Sequence, residues 1–296
     1  MVKLKVHLWT LPRWFALPLF GSSAVLGGIM AGGMTVNSWL GVLAAVMVMA
    51  GGHSFNSYLD YAWTGLDRGA TKERSAEKGY TGGQSLIAKG IVTKKEVLTN
   101  SLAWYILSLI PAIYLAFTVT PVVLIFAALG MSVTFFYAKG KFNWTHETVL
   151  GIGIGPLPLL MGMYSTLAAP PWVQGVIASV PFAIIGSFAG LAIDEYPDAE
   201  ANLEKGVKSV AYMVWRSGVS LEWYLSSWFL FLFIYQLLLI EIGFLNPLSA
   251  LAFILWPFLI AAFVFLKIDF VKASNAVIGL GVLYPMVMVL GHALGE

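Results

Sequence analysis

Two groups of acidic residues stand at the ends of apolar stretches that are otherwise suited to lipid. The first contains Asn56, Asp60 and Asp67, and its apolar stretch has the length of a membrane-spanning helix. The second begins with Asp194 and Asp198, directly after an apolar run. Ionisable groups at the margin of a membrane helix are costly unless they face a cavity, a partner or a cation. These two groups are therefore the candidate functional site of the chain.

The spacing within each group predicts what the acids do together. Residues four apart share a helix face, so Asn56 aligns with Asp60 and Asp194 aligns with Asp198. Asp67 joins the first pair if the helix continues. Oxygen donors suit a hard divalent cation, and Mg²⁺ takes one or two carboxylates and completes its octahedron with waters and phosphate oxygens. The pattern indicates a membrane enzyme that handles a phosphorylated lipid.

Basic residues occur where they could neutralise phosphate oxygens. The better candidates are Arg68 and Lys72, beside Asp67, and Lys139 and Lys141, in a short loop. The alternative is that they only mark topology, because cytoplasmic loops of membrane proteins are enriched in Lys and Arg. For the acidic residues, the corresponding alternative is that they only solvate the end of a helix at the membrane interface. Both alternatives stay open for any single residue.

Composition defines the broad class of the protein. Of the 296 residues, 59% are hydrophobic and 11% are charged, whereas soluble domains carry about 25% charged residues. We therefore expect an integral membrane protein, with one domain over residues 1–296. The absence of Cys excludes disulfides and thiolate metal sites. The first apolar run is interpreted as a retained helix rather than a signal peptide.

The apolar runs predict an all-α membrane protein with nine transmembrane helices in one bundle. All 17 Lys and Arg residues fall in the N-terminal segment or after the second, fourth, sixth and eighth spans. The positive-inside rule then predicts a cytoplasmic N-terminus. The predicted spans cover residues 13–33, 37–60, 96–118, 121–138, 148–168, 174–194, 220–242, 246–266 and 274–294.

This topology places both acidic groups on the cytoplasmic side, after the second and sixth spans. Spans two to five and six to nine are interpreted as two pseudo-repeated halves, each opening with an acid-tipped helix. Sites of repeated membrane bundles commonly lie at the interface of the repeats. We therefore expect one active cavity on the cytoplasmic side.

Other polar residues and glycines are given structural roles. Glu96 and Glu222 begin helices and are expected to interact with the helix dipole. His146, Glu147 and Asp269 are interpreted as solvated. Glycines of the first and fifth spans are expected at close helix contacts rather than in phosphate-binding loops, and they are Gly21, Gly27, Gly28, Gly32, Gly151, Gly153, Gly155 and Gly162.

The acidic motifs also support a family assignment. The pattern of Asn56, Asp60 and Asp67, together with Asp194-x-x-x-Asp198, resembles the two aspartate-rich motifs of the UbiA superfamily of intramembrane aromatic prenyltransferases. The resemblance covers essentially the whole chain and includes the nine-helix topology. Two further segments are similar to family segments after the second motif and after the fourth helix: Gly206-Val-Lys208-Ser209 and Tyr137-x-x-Gly140.

Within the superfamily, the chain is most similar to the 1,4-dihydroxy-2-naphthoate prenyltransferase branch of menaquinone synthesis. The similar segments are the first motif, Thr81-Gly82-Gly83 and the run from Gly155 to Gly162. The chain departs from many relatives at Asn202, where they carry a third acid. Whether Asn202 or Glu200 takes part in metal binding is left open.

The resemblance implies Mg²⁺-dependent transfer of an isoprenyl group from an isoprenyl diphosphate to an aromatic acceptor. It implies two Mg²⁺ ions, one held by Asn56, Asp60 and Asp67, and one held by Asp194 and Asp198. His53, one turn before Asn56, either faces the acceptor or only packs between helices. Candidates for binding the diphosphate are Arg68, Lys72, Lys139, Lys141, Lys208 and Tyr137.

The expected partners are an isoprenyl diphosphate, an aromatic small molecule and the lipid bilayer, with no nucleic acid. We expect a multi-pass protein of a prokaryotic plasma membrane with its active site towards the cytoplasm. Three alternatives remain: prenyl transfer to 4-hydroxybenzoate or a lipid alcohol, terpene cyclisation without a second substrate, and cation-coupled transport. Transporters keep their ionisable groups near mid-membrane, whereas the acids here stand at one face.

Overall fold

The computed structural model describes residues 2–66 and 86–295, and this part of the chain is helical and contains no strand. Within it, eight helices are long and apolar enough to cross a membrane. The helices are α1 (Val2–Lys5, continued by a π-helical turn over Val6–Thr10), α2 (Leu17–Met30), α3 (Val36–Ala62), α4 (Lys94–Thr118), α5 (Val122–Gly140), α6 (His146–Thr166), α7 (Trp172–Glu204), α8 (Val210–Ser217), α9 (Leu221–Glu241), α10 (Pro247–Phe265) and α11 (Phe270–Gly295).

The predicted all-helical membrane fold is confirmed. Helices α3 to α7 and α9 to α11 correspond to eight of the predicted spans. The first predicted span, 13–33, contains α2, an apolar helix of 14 residues. A helix needs about 20 residues to cross the hydrocarbon core. The count of nine spans and the cytoplasmic N-terminus therefore stay predictions.

Helix α2 lies at the centre of the bundle. It packs against α3, α6, α7 and α11, so it contacts both of the predicted halves. Its side chains Leu19, Phe20 and Leu26 are buried. A helix that is apolar on all sides has no face suited to water and is found inside a bundle. The position of α2 accounts for its composition.

Two glycines let α2 and α6 approach until their backbones touch. A Cβ atom on Gly162 would lie 1.9 Å from the carbonyl oxygen of Ala24, and one on Gly27 would lie 2.0 Å from that of Leu159. The prediction of close helix contacts is confirmed for these residues. It is wrong for Gly32, which follows α2 with φ +117° and has open space around its Cβ position.

The starts of two helices follow the predicted electrostatics. Glu96 accepts a hydrogen bond of 2.7 Å from the backbone amide of Thr93, and the Thr93 hydroxyl accepts one from the amide of Glu96. This reciprocal cap begins α4. Glu222 lies in the first turn of α9, after the cap residue Ser220. Both carboxylates are at the positive ends of their helix dipoles, as predicted.

The α2–α6 contact leads to a stability prediction. Gly162→Ala places a methyl group against the backbone of α2, and overpacking of this kind costs about 1–3 kcal/mol. We expect a lower midpoint of thermal unfolding in detergent micelles. Gly279→Ala is the matched control, because Gly279 is a helical glycine with open space around it. Equal stability of the two variants would show that α2 and α6 do not touch at Gly162.

Candidate active site

A buried ion pair lies at the end of α3. Lys141 Nζ is 2.7 Å from Asp60 Oδ1 and 2.8 Å from Oδ2, and both side chains are buried. The Asn56 amide donates to Asp60 Oδ2 over 2.9 Å. The prediction that Asn56 and Asp60 share a helix face is confirmed. Burying a charge is costly unless it is paired and hydrogen-bonded, and Asp60 meets both conditions.

Asn56 and Asp60 also provide a donor set for a hard cation. The Asn56 amide nitrogen faces Asp60, and its Oδ1 atom is buried without a hydrogen-bond partner in residues 2–66 and 86–295. An unpaired buried carbonyl oxygen beside a carboxylate fits the oxygen ligands that Mg²⁺ prefers. The residues present therefore suit the predicted metal ion.

Lys141 connects Asp60 to the segment that follows the second acidic motif. It comes directly after the last residue of α5, and its backbone carbonyl accepts a hydrogen bond of 2.7 Å from the amide of Lys208. Its ammonium group lies 5.0 Å from the centre of the Tyr137 ring, within the range of a cation–π contact. Lys141 thus contacts three predicted site residues: Asp60 and Tyr137 through its side chain, and Lys208 through its backbone.

A second buried cluster contains His146, Glu147 and Glu195. His146 Nδ1 lies 3.2 Å from a Glu147 oxygen, and Nε2 lies 3.4 Å from a Glu195 oxygen. The amide of Val210 donates to the other Glu147 oxygen over 2.6 Å. The interpretation of His146 and Glu147 as solvated is wrong, because His146 is 0% exposed and Glu147 is 4% exposed.

This cluster has the composition of a metal site, because one ligand atom from each residue lies within 4.8 Å of the others. The Nε2 atom of His146 is hydrogen-bonded to Glu195, whereas Nδ1 lies close to Glu147 without forming a hydrogen bond. Either a proton or a cation reduces the repulsion between the two buried carboxylates. Sequence reasoning missed the cluster, although Glu195 stands beside Asp194 in the second motif.

The two clusters are linked through Tyr137, so the two acidic motifs meet. The Tyr137 ring contacts Lys141 on one side, and its centre lies 5.6 Å from that of the His146 ring on the other. Tyr137 also lies within electrostatic range of Asp60, Asp194 and Glu195. A continuous set of contacts therefore runs from Asp60 in α3 to Glu195 in α7.

An apolar cavity opens beside these clusters. It encloses about 820 Å³ of empty space, counting the part at its open mouth. Its walls come from α2, α3, α6, α7, α9 and α11 and are mostly hydrophobic. Three charged or polar side chains face it: Arg13, His53 and Asp194.

Irregular backbone in α7 places Asp194 at this cavity. The segment Ile184–Leu191 is π-helical, and the turn Tyr196–Asp198 is a 3₁₀ turn that contains Pro197. π-helical segments are frequent at functional sites because they shift the register of the side chains that follow. The regular helical spacing predicted for Asp194 and Asp198 is therefore interrupted. Asp198 is half-buried.

The remaining predicted residues occupy different environments. The side chains of Lys139 and Lys208 are exposed. Asp67, Arg68 and Lys72 lie outside the described residues, as does the segment Thr81-Gly82-Gly83.

Asp269 is solvated, as predicted. It lies between α10 and α11. Its carboxylate accepts a hydrogen bond of 3.1 Å from the backbone amide of Lys272, which lowers its pKa, and the Lys272 ammonium adds an ion pair of 2.9 Å. Exposed pairs of this kind contribute little to stability, so Asp269 serves below as a control.

The sequence and the fold identify the family. A sequence model described as the UbiA prenyltransferase family matches residues 20–279, and the chain belongs to this family. Members of the family are prenyltransferases, and the expected family is confirmed. No curated protein shows a significant match to the chain.

Solved structures share the fold over nearly the whole chain. A UbiA homolog from Aeropyrum pernix K1, in its apo form, is 14% identical with a TM-score of 0.63, covering 97% of this chain and 98% of its own. A digeranylgeranylglyceryl phosphate synthase is 16% identical with a TM-score of 0.60, and the match covers 100% of this chain and 99% of the synthase chain. A UbiA homolog from Archaeoglobus fulgidus, bound to DMAPP and Mg²⁺, is 15% identical with a TM-score of 0.52. The match covers 95% of this chain and 98% of the homolog. At these identities the likeness shows the fold alone.

The buried ion pair gives a second prediction. Lys141→Met leaves the Asp60 carboxylate buried without its cation, which costs about 3–5 kcal/mol. We expect a marked loss of stability in detergent at neutral pH. Lys139→Met is the matched control, because it removes the same charge two residues away and Lys139 is exposed. An Lys141→Met protein as stable as the control would mean that Asp60 and Lys141 are not paired.

Proposed function

We propose that the protein transfers an isoprenyl group from an isoprenyl diphosphate to an aromatic acceptor in a Mg²⁺-dependent reaction. The proposed acceptor is 1,4-dihydroxy-2-naphthoate, as in menaquinone biosynthesis. The observation that carries the proposal is the contact between the two acidic motifs, through Lys141, Tyr137 and His146, beside an apolar cavity. A polar end for a diphosphate and an apolar space for an isoprenyl chain then adjoin each other.

The acidic side chains form the proposed metal site. Asn56, Asp60 and Asp67 are assigned to one Mg²⁺, and Asp194 and Asp198 to a second. When bound, the ions supply positive charge that stabilises the departing diphosphate. For Asn56, the buried and unpaired Oδ1 atom supports this role.

Basic side chains complete the proposed diphosphate site. Lys141 is assigned to a diphosphate oxygen because it already lies between the two motifs, and Tyr137 orients it through the contact with its ring. The exposed side chains of Lys139 and Lys208 are assigned to the same group, since their backbones flank Lys141. Arg68 and Lys72 are also assigned to the diphosphate, because they stand close to Asp67 in the sequence.

The apolar cavity suits the bond breaking and bond formation of the proposed prenyl transfer. The allylic carbon–oxygen bond of the donor breaks, and diphosphate takes the electron pair. The allylic cation needs protection from water, which apolar walls provide. Phe20 and Phe229 line the cavity, and aromatic rings of this kind can stabilise a cation electrostatically. The acceptor ring then forms the carbon–carbon bond and loses a proton.

Prenyl transfer to a lipid alcohol is a second candidate. It is compatible with the fold shared with the digeranylgeranylglyceryl phosphate synthase, which covers 100% of this chain. The Arg13 and His53 side chains in the cavity suit an acceptor with several polar groups, which an aromatic hydroxy acid provides.

The proposal predicts Mg²⁺-dependent turnover. Purified protein is incubated with geranylgeranyl diphosphate and 1,4-dihydroxy-2-naphthoate, 4-hydroxybenzoate or a glycerol-based lipid alcohol, and pyrophosphate release and prenylated product are measured. We expect the most product with dihydroxynaphthoate and none after chelation of Mg²⁺. Product formation that is unaffected by chelation would contradict the metal role. No product with any acceptor would reject prenyl transfer.

Substitution of a single carboxylate tests the second motif. Asp194→Asn removes one charge from the cavity wall without changing the size of the side chain. We expect turnover to fall by about 10²–10³-fold, since charge stabilisation of the leaving group contributes that much or more. Asp269→Asn, the exposed control, keeps full activity. Wild-type turnover by Asp194→Asn, with folding verified by its melting temperature, would remove Asp194 from the mechanism.

A further inference from the structure

Helices α10 and α11 touch at one end and are separated by a groove at the other. A Cβ atom on Gly291 would lie 2.1 Å from the carbonyl oxygen of Leu248, so the two backbones are in contact there. A Cβ atom on Gly279 would meet no atom of the described residues within 4 Å. The groove at this end encloses about 1210 Å³ of empty space, counting its open side.

The groove has walls of hydrocarbon. Phe258 and Phe265 of α10 and Leu283 of α11 line it and are exposed. Ala276 and Gly279 also line it and contribute little side-chain volume. Both helices are long and apolar enough to cross a membrane, and a void between them would forfeit dispersion contacts. The occupant that suits such walls is a hydrocarbon chain.

The length of the groove matches one leaflet of a bilayer. Its lining residues extend along α11 from Lys272 to Leu283, which is eleven residues further on. Eleven helical residues at 1.5 Å each span about 16.5 Å. One leaflet contributes half of a hydrocarbon core of about 30 Å. A lipid whose chain fills the groove therefore has its headgroup at the end that carries Lys272.

A pair of opposite charges stands at that end. Lys272 Nζ lies 2.9 Å from Asp269 Oδ2, and the two side chains are 87% and 42% exposed. Both residues line the groove. An ammonium group has three donors and a carboxylate has about four acceptor sites, so each group binds a further partner without breaking the pair. The charges complement a headgroup that itself carries both signs.

We propose that the groove between α10 and α11 binds one phospholipid of the surrounding bilayer, with a headgroup that contains a phosphate and a primary amine. Lys272 contacts the phosphate, as basic side chains at the margins of membrane helices do. Asp269 accepts a hydrogen bond from the amine, and one hydrocarbon chain lies along the groove.

This lipid site is separate from the candidate active site. Val277 and Gly281 of α11 line the apolar cavity, whereas Ala276 and Gly279 line the groove. Helix α11 therefore has the cavity on one side and the groove on the other. Because the groove holds bilayer lipid rather than substrate, Asp269 remains a control for turnover in detergent.

Lipid binding to the full-length protein in detergent tests the proposal. The protein is titrated with dioleoyl phosphatidylethanolamine, phosphatidylcholine or phosphatidylglycerol, and the lipids retained per chain are counted by native mass spectrometry. The three lipids have the same chains and a phosphate. The quaternary amine of phosphatidylcholine has no hydrogen to donate, and phosphatidylglycerol has no amine. Wild-type protein is expected to retain one phosphatidylethanolamine about two- to fivefold more tightly than the others, the contribution of an exposed charged contact.

Substitutions at the headgroup end separate the two charges. Asp269→Asn removes the preference for phosphatidylethanolamine, because the amine loses its charged acceptor. Lys272→Gln weakens binding of all three lipids by a similar factor, because all three carry the phosphate. Lys267→Gln is the matched control: Lys267 is exposed and does not line the groove, so every affinity stays at the wild-type value.

A substitution within the groove tests the position of the hydrocarbon chain. Ala276→Leu fills the groove and is expected to abolish retention of the single lipid. Ala128→Leu makes the same change at an exposed position of α5 and leaves retention unchanged. The melting temperature of each variant without lipid verifies its fold.

Four results would overturn the proposal. They are equal retention of the three lipids by wild-type protein, a preference that survives Asp269→Asn, retention that is unaffected by Ala276→Leu, and dimers of the protein that disappear with Ala276→Leu. The last result would identify a second copy of the chain as the occupant. Asp269→Asn still tests headgroup recognition if Ala276→Leu does not fold.

Discussion

The Asp60 carboxylate is buried at the end of α3, and a buried carboxylate requires a cation. Lys141 provides it, and this single requirement fixes the positions of three other segments. Lys141 must lie where α5 ends, its carbonyl holds the amide of Lys208, and its ammonium group rests against Tyr137. The Tyr137 ring then meets His146, which contacts Glu195 in α7. One paired charge thus brings the two acidic motifs to the same end of the bundle.

The balance of charges at this end explains why a divalent cation and a diphosphate are the proposed ligands. Buried there are three carboxylates, from Asp60, Glu147 and Glu195, against the ammonium of Lys141 and the imidazole of His146. This excess of negative charge attracts cations, which in turn attract phosphate oxygens. The cavity beside Asp194 is apolar, so a substrate with a charged head and a hydrocarbon chain fits across the boundary.

Much of the fold was predictable from the sequence because membrane-spanning helices are recognised from the local composition of the chain. Apolar runs of sufficient length gave the long helices, and the four-residue spacing of Asn56 and Asp60 gave their shared face. His146 and Glu147 were misinterpreted because a turn with polar residues resembles a solvated interface, and their burial comes from Val210 and α7, which are distant in sequence. Lys141 was found as a basic residue, but its partner was not, since ion pairs depend on tertiary geometry. The π-helical segment of α7 has no signature in residue spacing.

In the proposed reaction, carboxylates from α3 and α7 act on one diphosphate. The most direct measurement is a structure of the protein with Mg²⁺ and an isoprenyl thiolodiphosphate, a donor analogue that resists ionisation. We predict a diphosphate between Asp60 and Asp194, with its hydrocarbon chain in the apolar cavity. A diphosphate bound to only one of the two motifs, or outside the cavity, would contradict the claim.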